Sequence, residues 1–112
     1  MTSHTLYPHI DPVLPSTLSK KTLSKLKENF NYKGILVTDD MLMGALNNFN
    51  SKEILALEAG NDMLLYVSDA TRQITAMTSV LNKVNSDNDF FKDVKSKVKK
   101  ILEYKEKYGL LK

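Results

Sequence analysis

The stretch Lys33–Ala45, KGILVTDDMLMGA, sets two adjacent aspartates directly after a short apolar run and follows them with methionines and a glycine. Within it ILVT, residues 35–38, is too short for a helix and rich in β-branched types, so it reads as a strand that is apolar on both faces. Such strands are usually parallel and covered on both sides. In parallel α/β folds the chemical groups stand at the carboxyl ends of strands, where the loops converge. Asp39 and Asp40 fall at that end. Neighbouring residues leaving a strand point to opposite sides, so at most one of the two faces a site in line with the strand. A turn cap or a lysine partner is the competing use for either carboxylate. The apolar MLMGA that follows puts them beside buried surface and favours function.

Upstream, residues 5–19 hold all three prolines and read as an extended loop, because proline fixes φ and biases its predecessor away from helix. Asp11 reads as a loop cap there and His9 as solvated. Ser19 is the expected N-cap of a helix carrying Leu23, Leu26 and Phe30 on one face, closed by NFNYKG. Downstream, a loop through NNFN leads to a helix from Ser51, SKEILALEAG, with a capping serine and a terminating glycine. DMLLYV, residues 62–67, is a second buried strand. From Asp69 the pattern is helical to the end. Ile74, Met77, Val80, Leu81 and Val84 share one face; SDND then breaks the helix and caps the next. The last helix sets Phe90, Phe91, Val94, Val98, Ile101 and Leu102 on one side and its lysines and glutamates towards water. Strands alternating with helices give the βαβ rhythm of a parallel α/β fold.

The totals narrow the partners. The chain has 112 residues, 42% of them apolar, enough for one domain or a piece of one. A net charge of +3 is no nucleic-acid footprint. No cysteine is present and there are only two histidines, so a metal cluster would rest mostly on carboxylates, and no metal or cofactor is expected. No apolar run approaches about 18 residues, and the amino terminus lacks a basic segment followed by an apolar one. As written, the chain reads as cytoplasmic and free of the membrane, while an upstream half would be able to carry an export signal.

Beyond these patterns, four blocks in order resemble glycoside hydrolase family 3, in its bacterial β-N-acetylhexosaminidase branch. They are MTSHTLYPHIDPVLPSTLS at residues 1–19, GILVTDDMLMGAL at 34–46, ALEAGNDMLLY at 56–66 and VKSKVKKILEYKEKYGLL at 94–111. The resemblance implies an α/β fold that is the C-terminal portion of a (β/α)8 TIM-type barrel, a single partial domain over residues 1–112. It would hold about three parallel strands with flanking helices, the first strand at about residues 1–5. It implies Asp39 as the catalytic nucleophile, since that aspartate directly follows the threonine of this strand. It places His4 near the sugar pocket and Met43, with the turn at Gly44, in the pocket wall. The implied substrate is a terminal β-linked N-acetylglucosamine, as in peptidoglycan fragments.

The same resemblance marks what the chain lacks. The family's first-half strands and the histidine-bearing acid/base loop have no counterpart here, and Met1 matches an internal methionine. Losing general acid catalysis costs about 10²–10⁴-fold, so the isolated chain is expected to be inactive or nearly so. Three barrel strands would also expose an apolar inner face and two sheet edges, so self-association or a complementing N-terminal half is the expected partner. Two other readings compete: a non-catalytic fragment or complementing subunit, and a magnesium-binding phospho-receiver domain, which has too few strands after Asp40 to fit.

Overall fold

In the computed structural model, which describes residues 1–111, the chain runs α1 (Lys20–Phe30), β1 (Val37–Asp40), α2 (Lys52–Ala59), β2 (Met63–Leu65), α3 (Ala70–Ser86) and α4 (Asn88–Lys107). A 3-10 turn, Gly44–Leu46, lies between β1 and α2. The two strands pair in parallel, as the βαβ pattern requires.

The expected third strand is reduced to one isolated parallel bridge, Thr2 to Thr38. Thr2 N–H donates to Val37 O at 2.8 Å, and Asp39 N–H donates to Thr2 O at 2.9 Å. Pairing stops there because Met41 N–H, the donor that would reach His4 O in the next rung, is turned by the strand's irregularity onto Leu65 O of β2 at 2.9 Å, while the carbonyls of residues 3 and 5 face the proline loop instead. Ser3 O takes the hydroxyls of Ser16 and Thr17, and Thr5 O takes Ser16 N–H. β1 also begins later than the ILVT run and takes in both aspartates. Leu36 N–H donates to Asp62 Oδ2 at 2.8 Å, a side chain, so regular pairing starts only at Val37.

Val37 pairs with Met63 and Asp40 with Leu65, so β1 advances three residues while β2 advances two, and the surplus residue makes a bulge. The Thr38 hydroxyl fills the gap by accepting Leu65 N–H at 3.0 Å. Alternation along the strands divides the faces. Leu36 packs with Leu23 and Ala59 against the helices, while Leu64 and Tyr66 lie against the buried group Leu18, Met41, Leu46 and Ala56. Val37, Met63 and Val67 alternate to the other face, where Val67 is 71% exposed.

The helix ends follow the sequence with one exception. The Ser19 hydroxyl accepts Thr22 N–H at 3.1 Å, and Asn31 closes α1 at φ 46°. Gly60 closes α2 at φ 114°, and a Cβ there would stand 2.8 Å from Lys27 Nζ, which donates to Gly60 O. Asp69 and Asp87 cap α3 and α4 through their carboxylates. Ser51 is not the side-chain cap that was expected. It sits at φ 51°, its hydroxyl makes no capping bond, and its carbonyl opens α2 by accepting Ile54 and Leu55 N–H.

The predicted helix faces are only partly covered. Ala76 and Phe90 are the buried residues of α3 and α4, whereas Phe30, Ile74, Met77, Leu81, Phe91, Val98 and Leu102 remain exposed. α3 and α4 pack on each other and on the short α2, which is too small to cover both apolar stripes.

At the amino ends of the strands, Lys100 Nζ reaches from α4 to Asp62 Oδ2 and to Gly34 O, each at 2.8 Å. Asp62 is buried, and removing its carboxylate strands both the lysine charge and Leu36 N–H. Asp62→Ala is expected to destabilise the chain by about 3 kcal/mol, the range for breaking one partner of a buried pair. Urea unfolding followed by circular dichroism measures it, and an unchanged midpoint would show that the clamp contributes nothing.

Candidate active site

β1 ends by presenting two carboxylates that the bulge separates in role. Asp39 N–H is held by Thr2 O, and Asp39 Oδ1 accepts the N–H of Asp40 at 2.8 Å. Asp39 Oδ2 has no hydrogen-bond partner among the described residues, and the side chain is half-buried. One oxygen is therefore fixed by the protein and the other is free. Asp40 does the opposite. Its Oδ1 accepts Leu42 N–H at 3.1 Å and Val67 N–H at 3.3 Å, which caps the turn and ties it to the end of β2. The two aspartates divide as strand alternation requires, one committed to structure and one available.

His4 and Met43 both converge on the carbonyl of Asp40. His4 Nε2 lies 2.9 Å from Asp40 O, and Met43 N–H donates to the same oxygen at 3.1 Å. A carbonyl only accepts, so His4 Nε2 is the donor of this bond. His4 Nδ1 stands 2.8 Å from the Thr17 hydroxyl, which is buried in the proline loop. Both ring nitrogens are thus engaged by the protein. The Met43 side chain, 45% exposed, projects from the turn that follows. His9 is exposed, and Asp11 caps its loop by accepting Val13 and Leu14 N–H while Ser19 Oγ donates to its other oxygen.

Three supporting residues escaped the sequence reading. Thr17 orients His4, Thr38 fills the bulge, and Asn61 ties the segments together. Asn61 is fully buried: its Oδ1 accepts the Thr2 hydroxyl at 2.8 Å, and its Nδ2 donates to Thr17 O and Ala56 O. The one available signal was the polar pair Asn61-Asp62 between a helix-ending glycine and an apolar strand, where the chain turns inward. Nearby, Tyr66 is pushed up to about 12 by burial, then by Glu53 and Asp40, so its phenol stays neutral.

A half-buried carboxylate with one pinned and one free oxygen suits nucleophilic attack in a fixed direction. Neither histidine is disposed as its proton-donating partner, since His4 has both nitrogens occupied and His9 lies out on the loop.

The family model described as "Glycosyl hydrolase family 3 N terminal domain" matches residues 1–103. An uncharacterized secreted glycosyl hydrolase of Arthroderma benhamiae is 34% identical over 88 residues, covering 75% of this chain and 24% of that protein. A beta-hexosaminidase of Nitrosomonas eutropha is 33% identical over 84 residues, covering 71% of this chain and 24% of its own length. The crystal structure of a Beta-N-acetylhexosaminidase from Beutenbergia cavernae matches with a TM-score of 0.88 at 30% identity, over 95% of this chain and 32% of that one. The chain spans about a quarter of the length of these curated relatives.

The loop that carries Thr17 gives a pH prediction. Hydrogen bonds from Leu14 N–H, the Ser19 hydroxyl and Val13 N–H hold the Asp11 carboxyl below its ordinary value of 3.8. A depressed folded-state value stabilises the fold above the unfolded one and loses that contribution as pH falls through the lowered value. Thermal stability should therefore fall on acidification below pH 3.8, and Asp11→Asn should flatten that part of the profile. An identical acid limb in the variant would show that other carboxylates control it.

Proposed function

The chain belongs to the glycosyl hydrolase family 3 N-terminal domain family, and from that premise we propose that Asp39 is the nucleophile of a retaining β-N-acetylglucosaminidase. The observation that carries the reading is the Asp39 carboxylate at the end of β1, with Oδ1 held by Asp40 N–H and Oδ2 free. Oδ2 attacks the anomeric carbon as the bond to the leaving oxygen breaks, giving a glycosyl ester on Asp39. Water then attacks that carbon and releases the carboxylate with the original configuration restored. The sugar lies over the strand end, with the Met43 side chain as a wall and His4 beside it. The N-acetyl preference rests on relatives described as hexosaminidases, and the substrate class is a terminal β-linked N-acetylglucosamine of the peptidoglycan-fragment type.

Departure of the leaving oxygen needs a proton, and these residues offer no donor poised to supply it. General acid catalysis contributes about 10²–10⁴-fold, so the chain alone turns over negligibly and the acid comes from outside these residues. The two strands and their helices are, on this reading, the closing part of a (β/α)8 barrel. The uncovered face with Met63 and Val67 favours a complementing N-terminal half or, failing that, self-association. Membership of the family displaces the phospho-receiver reading.

The test is hydrolysis of 4-nitrophenyl β-N-acetylglucosaminide by the chain alone and by the chain mixed with the N-terminal half of a related enzyme. The expected result is silence alone, activity in the mixture, and a loss of roughly 10³-fold or more in Asp39→Ala. Activity of the chain alone that survives Asp39→Ala would overturn the assignment. Silence in both samples would favour a non-catalytic family member, and size-exclusion chromatography would then report which assembly it forms.

A further inference from the structure

The imidazole of His4 is placed to hold, by its carbonyl, the residue whose N–H in turn holds Asp39. Thr17 Oγ1 stands 2.8 Å from His4 Nδ1, and His4 Nε2 stands 2.9 Å from Asp40 O. At the other end of that residue, Asp40 N–H donates to Asp39 Oδ1 at 2.8 Å. The bulge makes this support necessary. Where β1 carries its surplus residue, the ladder to β2 is maintained by a hydroxyl, Thr38 Oγ1, by the bond from Met41 N–H to Leu65 O and by the long bond from Val67 N–H to the Asp40 side chain, none of which is a regular rung at Asp40's own backbone. A strand end released from its regular ladder can rotate about φ and ψ, which would swing Asp40 N–H away from Asp39. His4 closes that freedom from the opposite side, since its own segment is fixed by the Thr2 bridge.

We propose that His4 is a positioning residue for Asp39: through the chain Thr17, His4, Asp40 it fixes which carboxylate oxygen is pinned and leaves Oδ2 as the attacking atom. Because both ring nitrogens are occupied by the protein, His4 contributes orientation and not a hydrogen bond to sugar. The proposal rests on the reading of Asp39 as nucleophile for its meaning, but its physical content is testable without turnover.

The experiment is amide hydrogen exchange by NMR on the full chain, comparing the unmodified protein with His4→Ala, His4→Gln and Thr17→Val. Glutamine carries its side-chain N–H donor the same number of bonds from Cβ as His4 Nε2, so it restores the bond to Asp40 O. The expected result is about tenfold faster exchange of Asp40 N–H in His4→Ala, the equivalent of one ordinary hydrogen bond, with a similar change in Thr17→Val. Protection should return in His4→Gln, and the amides of Leu23 and Ala56 should be unchanged throughout. Unaltered Asp40 exchange in His4→Ala would overturn the proposal. So would a uniform acceleration across the core that His4→Gln fails to reverse, because that marks a residue needed only for folding. Loss of the glycosidase reading through an active Asp39→Ala would leave the exchange result standing, so the two failures are distinguishable.

Discussion

The carboxylate of Asp62 sets the register on which the rest of the structure depends. Its Oδ2 accepts Leu36 N–H and Lys100 Nζ, while the N–H groups of Asp62 and Met63 both donate to Leu36 O. β2 can therefore begin against β1 in only one way, and α4 is tethered to the same point through the contact of Lys100 with Gly34 O. Charge-assisted bonds of this kind are short and directional, which suits a site where alignment matters more than net stability. Everything towards the carboxyl ends is counted from this clamp. The surplus residue of β1 emerges as a bulge at the aspartates, and it is the bulge that lets Asp39 and Asp40 serve different purposes.

A second buried polar group carries that order to the first segment of the chain. Asn61 joins Thr2, Thr17 and the end of α2 by hydrogen bonds that use its oxygen and its nitrogen, and no buried side-chain polar atom among the described residues lacks a partner. A fully satisfied network of this type fixes geometry, because any displacement leaves a buried donor or acceptor unpaired. Thr2 thus holds Asp39 by its carbonyl and Asn61 by its hydroxyl, and Thr17 meets His4 from the same network. The candidate site is an outgrowth of the interior, which is why residues as far apart in sequence as His4 and Asp40 meet there.

Much of this was legible from local pattern. The apolar run before Asp39, the cap at Ser19, the helix start at Asp69, the capping break SDND, the helix-ending Gly60 and the alternation of strands with helices are all properties of short windows, and the structure has them. The errors lie where distant groups compete for the same backbone. A third strand at residues 1–5 is lost because Met41 N–H, which would have continued the pairing to His4 O, donates to Leu65 O of β2. Ser51 adopts a left-handed conformation that no local signal announces. The helical stripes were read correctly as periodic, but periodicity does not say how much surface a partner supplies, and Ile74 stays 63% exposed. At the site, the residue types pointed to the Asp39-Asp40 pair and the family resemblance alone chose Asp39, whereas the engagement of both nitrogens of His4 depends on Thr17 and Asp40 and was invisible in sequence.

Asp39, and not its neighbour, is proposed to form the bond to sugar. The most direct measurement is mass spectrometry of the chain, mixed with the N-terminal half of a related enzyme, after brief exposure to a 5-fluoro-N-acetylglucosaminyl fluoride. Fluoride departs without strong proton donation, and the ring fluorine slows hydrolysis of the ester, so the covalent intermediate accumulates. The expected result is a glycosyl adduct on Asp39, absent in Asp39→Asn. An adduct on Asp40, or one that persists in Asp39→Asn, would contradict it.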